Sequence, residues 1–259
     1  KSMRPIDVIR IILVGILAAI VFTPPILIGW MVPMLHRRKI FYFPWLIFAR
    51  GTCAICRVDM HVKGKEHIKR DSYLGKLYIS NHQSALDITL LVAIYPLPFL
   101  TKKENLYLPF IGLAGLLAGS IAFDRDSGSE RRKVLEKIVD RAKRHTALYI
   151  FPEGTRSKTG ELQKKVFPAL LRMAWRAGLE VVPIALHGSY LVVGHKAPPG
   201  GRYPVFIEIG EPIAASKFDN DKVFANYCWE QVIKQHESVS AEFAELEAVT
   251  SKKVISAES

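Results

Sequence analysis

A histidine and a carboxylate stand five positions apart in Asn81-His82-Gln83-Ser84-Ala85-Leu86-Asp87, directly after the strand-like run Lys76-Leu77-Tyr78-Ile79-Ser80. A neutral imidazole held by a carboxylate can take a proton from a hydroxyl or thiol. The carboxylate fixes the tautomer and stabilises the imidazolium that forms. On one continuous helix, positions i and i+5 lie about 140° apart at ~3.6 residues per turn and would not face each other. The spacing therefore puts His82 on a loop and Asp87 in the first turn of the helix that follows. Ser84 is then the expected N-cap and Ser84-x-x-Asp87 the expected capping box. Asp87 would sit at the positive helix end and point back to His82. Such pairs also arise by chance, and a helix cap beside an ordinary loop histidine accounts for these residues at least as well. The rest of the chain decides between the two.

Downstream, the apolar strand Leu148-Tyr149-Ile150-Phe151 runs into Pro152-Glu153-Gly154-Thr155-Arg156-Ser157. Gly154 permits a tight backbone path and close approach to a ligand. Thr155 and Arg156 suit an anionic oxygen, and the planar fork of arginine matches phosphate. Gly119-Ser120-Ile121-Ala122-Phe123-Asp124-Arg125 is a second short strand ending in arginine. Val181 to Leu186 has a buried-strand pattern with Pro183 inside it, which predicts an edge position, a strand start or a bulge. No serine or cysteine lies in a recognised nucleophile motif, and Ser80 and Ser84 read as strand-end and cap residues. The residue types thus allow a general base acting on a hydroxyl or thiol, together with an anion-binding turn.

These four blocks, in this order, resemble those of the 1-acylglycerol-3-phosphate acyltransferase family, the lysophosphatidic acid acyltransferases of the PlsC type. The family's N-H-x4-D block corresponds to Asn81 to Asp87, and G-x-I-x-x-x-R to Gly119, Ile121 and Arg125. F-P-E-G-T-R-S corresponds to Phe151 to Ser157 without a change, and V-P-I to Val182, Pro183 and Ile184. Lys102-Lys103-Glu104 and Leu108 to Gly112 also look like the family, and the resemblance covers residues 60 to 215. One departure bears on the acceptor pocket: Phe167 stands near where the family shows a glycine.

The resemblance implies transfer of a fatty acyl group from acyl-CoA or an acyl-carrier protein to the sn-2 hydroxyl of lysophosphatidic acid, forming phosphatidic acid. In that reading His82 takes the hydroxyl proton and Asp87 orients His82. Arg125, Arg156 and one of Lys102 or Lys103 hold the acceptor phosphate, with Gly154 and Thr155 in the same binding turn, and Glu153 orients the acceptor glycerol. No cofactor and no metal ligand set is expected. The alternatives are acylation of another lysolipid or of glycerol 3-phosphate, and a catalytically silent membrane lipid-binding protein. The intact His82, Asp87 and Glu153 argue against the silent protein.

Strand and helix patterns alternate around these blocks. Strands are expected at Leu77 to Ile79, Pro98 to Thr101, Ile121 to Phe123, Ala147 to Phe151, Val181 to Leu186 and Tyr203 to Ile209. Helices are expected at Ala85 to Ile94, Ser129 to Arg144, Pro168 to Ala177 and from Phe218 to near Glu247, with a charged connector from Arg57 to Tyr73. In the second of these helices Val134, Leu135, Ile138 and Val139 form the apolar face. Such alternation predicts an α/β fold, a mainly parallel sheet covered by helices. The expected division is a membrane-anchoring helical segment at residues 1–50 and an acyltransferase domain with a C-terminal helix at 51–259.

Lys and Arg number 36 against 24 Asp and Glu, a net charge of +12. With no nucleic-acid motif, the excess suits an anionic membrane surface and phosphorylated substrates. Cys53, Cys56 and Cys228 are too few for a disulfide scaffold and fit a cytosol-facing domain. Cys53-x-x-Cys56 has no second pair and reads as inert.

Ile11 to Leu35 holds 25 residues without a formal charge, interrupted by Pro24-Pro25. The stretch before the prolines is about 18 Å long as helix, short of a ~30 Å hydrocarbon core. Its length and the lack of a small-residue cleavage site argue against a secretory signal. Basic residues flank it on both sides, Lys1, Arg4 and Arg10 before and His36-Arg37-Arg38-Lys39 after. Residues 5–35 are therefore expected to form a proline-broken hairpin with both ends on the cytoplasmic face, in a bacterial inner membrane, with a single kinked span as the alternative. The aromatic run Phe41 to Phe48 suits the interface.

Overall fold

The computed structural model describes residues 4–68, 74–123, 128–157, 159–163, 166–193 and 201–258. In chain order they form α1 (Pro5–Gly29), α2 (Met34–Ile55), β1 (Val58–Lys63), β2 (Lys76–Ser80), α3 (Asp87–Ile94), β3 (Leu100–Lys102), α4 (Ile111–Leu117), β4 (Ile121–Phe123), α5 (Gly128–Arg144), β5 (Leu148–Ile150), α6 (Ala169–Arg176), β6 (Glu180–His187), β7 (Tyr203–Ile209), β8 (Ile213–Ala214) and α7 (Asp221–Glu258).

The main sheet has the order β1-β7-β6-β2-β5, with β8 pairing β6. β2 runs parallel to both β5 and β6, and β1 parallel to β7, while β7 and β8 are antiparallel to β6. β3 and β4 form a separate parallel pair, joined to the main sheet by the parallel bridge Phe99–Tyr149. All five residues of β2 are buried. Side chains of a strand alternate between its two faces. Tyr78 and Tyr149 accordingly pack with α2 and α3, while Leu77, Ile79, Leu148 and Ile150 pack with α5, α6 and α7. The result is a helix–sheet–helix sandwich around a mostly parallel sheet, as the alternation of patterns predicts.

Three expectations need correction. The region read as a charged connector contains β1, whose half-buried Val58, Met60 and Val62 alternate with exposed Asp59, His61 and Lys63. An edge strand solvated on one face carries this alternation, and the charges hid the period of two.

Pro183 sits in β6, near the middle of the sheet, not at an edge. Its carbonyl accepts from Gly210 N (2.8 Å), and the N and C=O of one strand residue point to the same side. The missing proline donor therefore faces the corner where the chain leaves β7 and returns as β8, and no ladder bond is lost.

The helix also does not break at Pro24-Pro25: α1 runs through both prolines to Gly29, and the turn falls at Trp30 to Pro33. Tertiary packing holds both halves on one partner. Before the prolines, Phe22 lies 4.7 Å from Trp45 and 5.0 Å from Phe48 between ring centroids. After them, Gly29 lies directly against the Phe41 ring. Residues 5–35 therefore do not form a hairpin by themselves; α1 and α2 form a helical pair, and the Phe41 to Phe48 run lies in its second arm.

α1 lies along the rest of the fold. At its start Arg4 donates to both Asp7 carboxylate oxygens (2.7 and 2.8 Å) and to the Tyr203 hydroxyl (3.3 Å). At its end Gly29 approaches Leu117 of α4. Between these ends Ile9, Ile12, Ile16, Ile20 and Leu27 stay exposed at helical spacing. α1 is the one helix among the described residues long and apolar enough to cross a membrane, with a mean hydropathy of 2.7 over its best window.

Candidate active site

The loops that leave the carboxyl ends of β2, β5 and β6 converge on His82. In open α/β sheets this edge is where ligands bind. His82 follows β2 by two residues, and its Nδ1 lies 2.7 Å from Asp87 Oδ2. The same oxygen accepts from the backbone N–H groups of Gln83 (2.6 Å) and Ser84 (2.8 Å), and the other, Oδ1, accepts from Ser189 Oγ (2.5 Å). Asp87 is fully buried. A carboxylate already taking three other donors acts as acceptor toward His82, so Nδ1 carries the proton and Nε2 the lone pair. The ring also stacks on Phe151, with centroids 4.1 Å apart and planes 20° from parallel.

The capping box forms only in half. The helix begins at Asp87, so Ser84 lies before its N-cap, Leu86, and Ser84 Oγ accepts from Leu86 N (3.3 Å). Asp87 does reach back to the Ser84 N–H, as that motif requires. It spends the rest of its acceptor capacity on His82, Gln83 and Ser189, which makes it more than a cap.

Glu153 has a clear place in the site. Its buried carboxylate accepts from His82 N and from Gln163 N, both at 3.2 Å, so it ties the β2 loop to the β5 loop. Burial pushes its pKa up to about 7, against the opposing pull of the Gln163 and His82 N–H groups. Ser157 N donates to His82 O (2.7 Å) and tightens the same clasp. Gly154 has φ 67°, the left-handed region, and an added Cβ would come within 2.9 Å of the Phe167 ring. Phe167, the departure noted above, therefore packs on this turn through the bare Gly154 backbone.

Thr155 and Arg156 are exposed just beyond, and Lys102 and Lys103 are exposed at the carboxyl end of β3. β3 and β5 run parallel through the Phe99–Tyr149 bridge, so these lysines leave the sheet on the same edge as the Arg156 turn. Arg125 lies outside the described residues.

Several members of the site have partners that the sequence does not announce. The Asn81 side chain clamps β6 by exchanging two 2.9 Å bonds with the Leu186 backbone. Gln83 Nε2 donates to Gly160 O (2.5 Å) and lies 3.4 Å from both His187 Nδ1 and His236 Nε2. His236 also bonds Gly160 O at 3.1 Å, so α7 braces the loop beneath His82. Burial, and then the neighbouring His236, push the pKa of His187 down to about 4, so this buried cluster is uncharged at neutral pH. Only the strand order brings Ser189 to Asp87. We expect Ser189→Ala to lower kcat about three- to tenfold, the scale of one hydrogen bond. The same change in an Asp87→Ala background should be nearly silent. Equal losses in both backgrounds would show that Ser189 does not act through Asp87.

The sequence pattern of the family described as Acyltransferase matches residues 59–187. The 1-acyl-sn-glycerol-3-phosphate acyltransferase of Saccharomyces cerevisiae is 32% identical over 183 residues, 68% of this chain and 59% of that protein. That of Cocos nucifera is 32% identical over 152 residues, covering 57% of this chain and 48% of that one. The Escherichia coli enzyme of the same name is 28% identical over 195 residues, covering 73% and 78%. The chain thus spans between 48% and 59% of the length of the coconut and yeast relatives. In three dimensions it is similar to the crystal structure of the LPA acyltransferase PlsC from Thermotoga maritima. The TM-score is 0.69 at 23% identity, covering 91% of this chain and 98% of that one, a likeness of fold.

Proposed function

Because this chain belongs to the acyltransferase family of the 1-acyl-sn-glycerol-3-phosphate acyltransferases, we propose that it transfers a fatty acyl group from a thioester to the sn-2 hydroxyl of lysophosphatidic acid, giving phosphatidic acid. The observation that carries this reading is the 2.7 Å contact of His82 Nδ1 with the saturated Asp87 carboxylate. It leaves Nε2 as a base at the edge of the sheet. The acceptor oxygen attacks the thioester carbonyl carbon while its proton passes to Nε2. The tetrahedral intermediate then collapses, the C–S bond breaks, and the departing sulfur takes the proton from the imidazolium. The donor is acyl-CoA or acyl-carrier protein. Asp87 orients the base and stabilises its charged form. Glu153 positions the backbone of His82.

Arg156 and Thr155, on the turn made by Gly154, bind the acceptor phosphate, with Lys102 or Lys103 beside them. Arg125 joins them on the strength of its block alone. Their exposure supports this reading, since an anionic headgroup arrives from outside. Arg156→Ala is expected to raise the acceptor KM about 10- to 100-fold, the worth of a charge-assisted hydrogen bond. The donor KM should change little, and a monoacylglycerol acceptor should not register the loss. An equal loss with the phosphate-free acceptor would remove Arg156 from this role.

α1 and α2 are the anchoring unit and the remainder is the acyltransferase domain. α1 touches the domain at both ends and exposes an apolar stripe along its length. These features support a helix lying in one leaflet, with both ends of the helical pair on the cytoplasmic face. The net charge of +12 favours an anionic surface. The test of the activity is a product assay with the purified protein. Lysophosphatidic acid and acyl-CoA should give phosphatidic acid, faster than lysophosphatidylcholine or glycerol 3-phosphate is acylated. Faster turnover of either competitor would replace the proposed acceptor.

A further inference from the structure

α4 is built inside out. Its small residues Gly112, Ala114 and Gly115 face the interior. Phe110, Leu113 and Leu116, three residues apart and so on one side, are exposed, and Tyr107, in the turn before, is 86% exposed. A helix on a water-facing surface shows the reverse pattern. The backbone is shaped to hold this arrangement. A Cβ on Gly112 would lie 2.2 Å from Leu106 O, so only glycine lets the preceding turn fold onto the helix. Phe110 has φ 62°, a conformation unfavourable for a bulky residue.

The patch does not stand alone. Leu117 reaches Gly29 of α1, whose neighbours Trp30 and Met31 are 68% and 71% exposed. The exposed Lys102 and Lys103 precede it in the chain. Aromatic residues at the rim and lysines beside them are the composition that suits a headgroup interface.

We propose that residues 106–117 are a membrane contact in their own right, entering the interfacial layer of an anionic phospholipid leaflet beside α1 and α2. The inference rests on the membrane-anchoring reading of α1. The meeting of α4 with the end of α1 at Leu117 and Gly29, next to the exposed Trp30 and Met31, and the basic neighbours favour lipid over a second copy of the chain. The segment then sets Lys102 and Lys103 at headgroup depth, where a lysophospholipid would present its phosphate.

The test uses the full chain on vesicles of phosphatidylcholine and phosphatidylglycerol whose acyl chains are partly brominated. The fluorescent probe is attached to a single introduced cysteine in three variants: Leu113→Cys, Ile16→Cys on the outer stripe of α1, and Val223→Cys on α7. The probes at 113 and 16 should be strongly quenched by the brominated chains, and the probe at 223 should not. Quenching at 16 without quenching at 113 overturns the proposal and leaves the anchor reading intact. Quenching at neither overturns both. A probe at 113 shielded from aqueous iodide yet unquenched by lipid would place a protein partner there instead, which also overturns it. In addition, Leu113→Glu with Leu116→Glu should weaken vesicle partitioning about tenfold or more, given two large apolar side chains withdrawn from lipid. Unfolding temperature confirms that this variant is folded, and unchanged partitioning would count against the contact.

Discussion

Replacing His82 with alanine is expected to lower turnover by about 10² to 10⁴ while leaving the fold in place, the range associated with loss of a positioned general base. The loss of the ring removes its stack on Phe151 and one hydrogen bond to Asp87, and all three donors from Gln83, Ser84 and Ser189 stay on that carboxylate, so the loop keeps its frame. Asp87→Ala should approach the same loss in rate but also destabilise the protein. It leaves the Gln83 and Ser84 N–H groups and the Ser189 hydroxyl without their acceptor in a buried place. Asp87→Asn keeps the volume and separates the two effects. It should restore much of the stability, because the amide oxygen can take the place of Oδ2 and the amide nitrogen can donate to Ser189, and little of the rate, because a neutral amide no longer stabilises the imidazolium. Steady-state kinetics with thermal unfolding of each variant checks this. Near-normal turnover of His82→Ala would end the general-base assignment.

Glu153→Ala is expected to lose about 10²-fold in kcat, the cost of a misplaced catalytic group, without removing any group that does chemistry. The His82 and Gln163 N–H groups would lose their common acceptor, at about 1–3 kcal/mol each. The conservative change has a different signature. The pKa of Glu153 in the folded protein, about 7, lies above the ordinary value of 4.5. The native state therefore holds this proton more tightly than the unfolded chain does. Its contribution to stability is full below pH 4.5, declines as the pH rises through the interval to about 7, and is level above that. Glu153→Gln cannot ionise and should flatten that part of the stability–pH curve. Unfolding midpoints measured between these limits test it, and an unchanged slope would mean that another group titrates there.

The division of labour between sequence and tertiary structure is visible in particular residues. The chemistry of the site is local in the chain. His82 and Asp87 lie within one loop and the next helical turn, and Phe151 to Ser157 follows one strand, so residue type and spacing were enough to find them. The alternation of strand and helix patterns was enough for the α/β class, because each pattern reports which face of a segment is apolar. β1 escaped because its solvated face carries the charges and its buried face only three aliphatic side chains.

What neighbours what was decided elsewhere. Ser189 is 102 positions from the carboxylate that it bonds, and Glu153 is 71 positions from the backbone it holds. Those contacts exist because β6 lies beside β2 and β2 beside β5, an order set by burial summed over the whole sheet and by no single segment. The same summed packing carries α1 through Pro24-Pro25, lets Pro183 occupy β6 at a corner that needs no donor, and turns the small face of α4 inward. The sequence by itself determined the reactive groups and the local conformations, which depend on side-chain chemistry and on neighbours a few residues away. The tertiary structure alone decided their partners, because hydrogen bonds and buried contacts between distant segments depend on a strand order that no local pattern encodes.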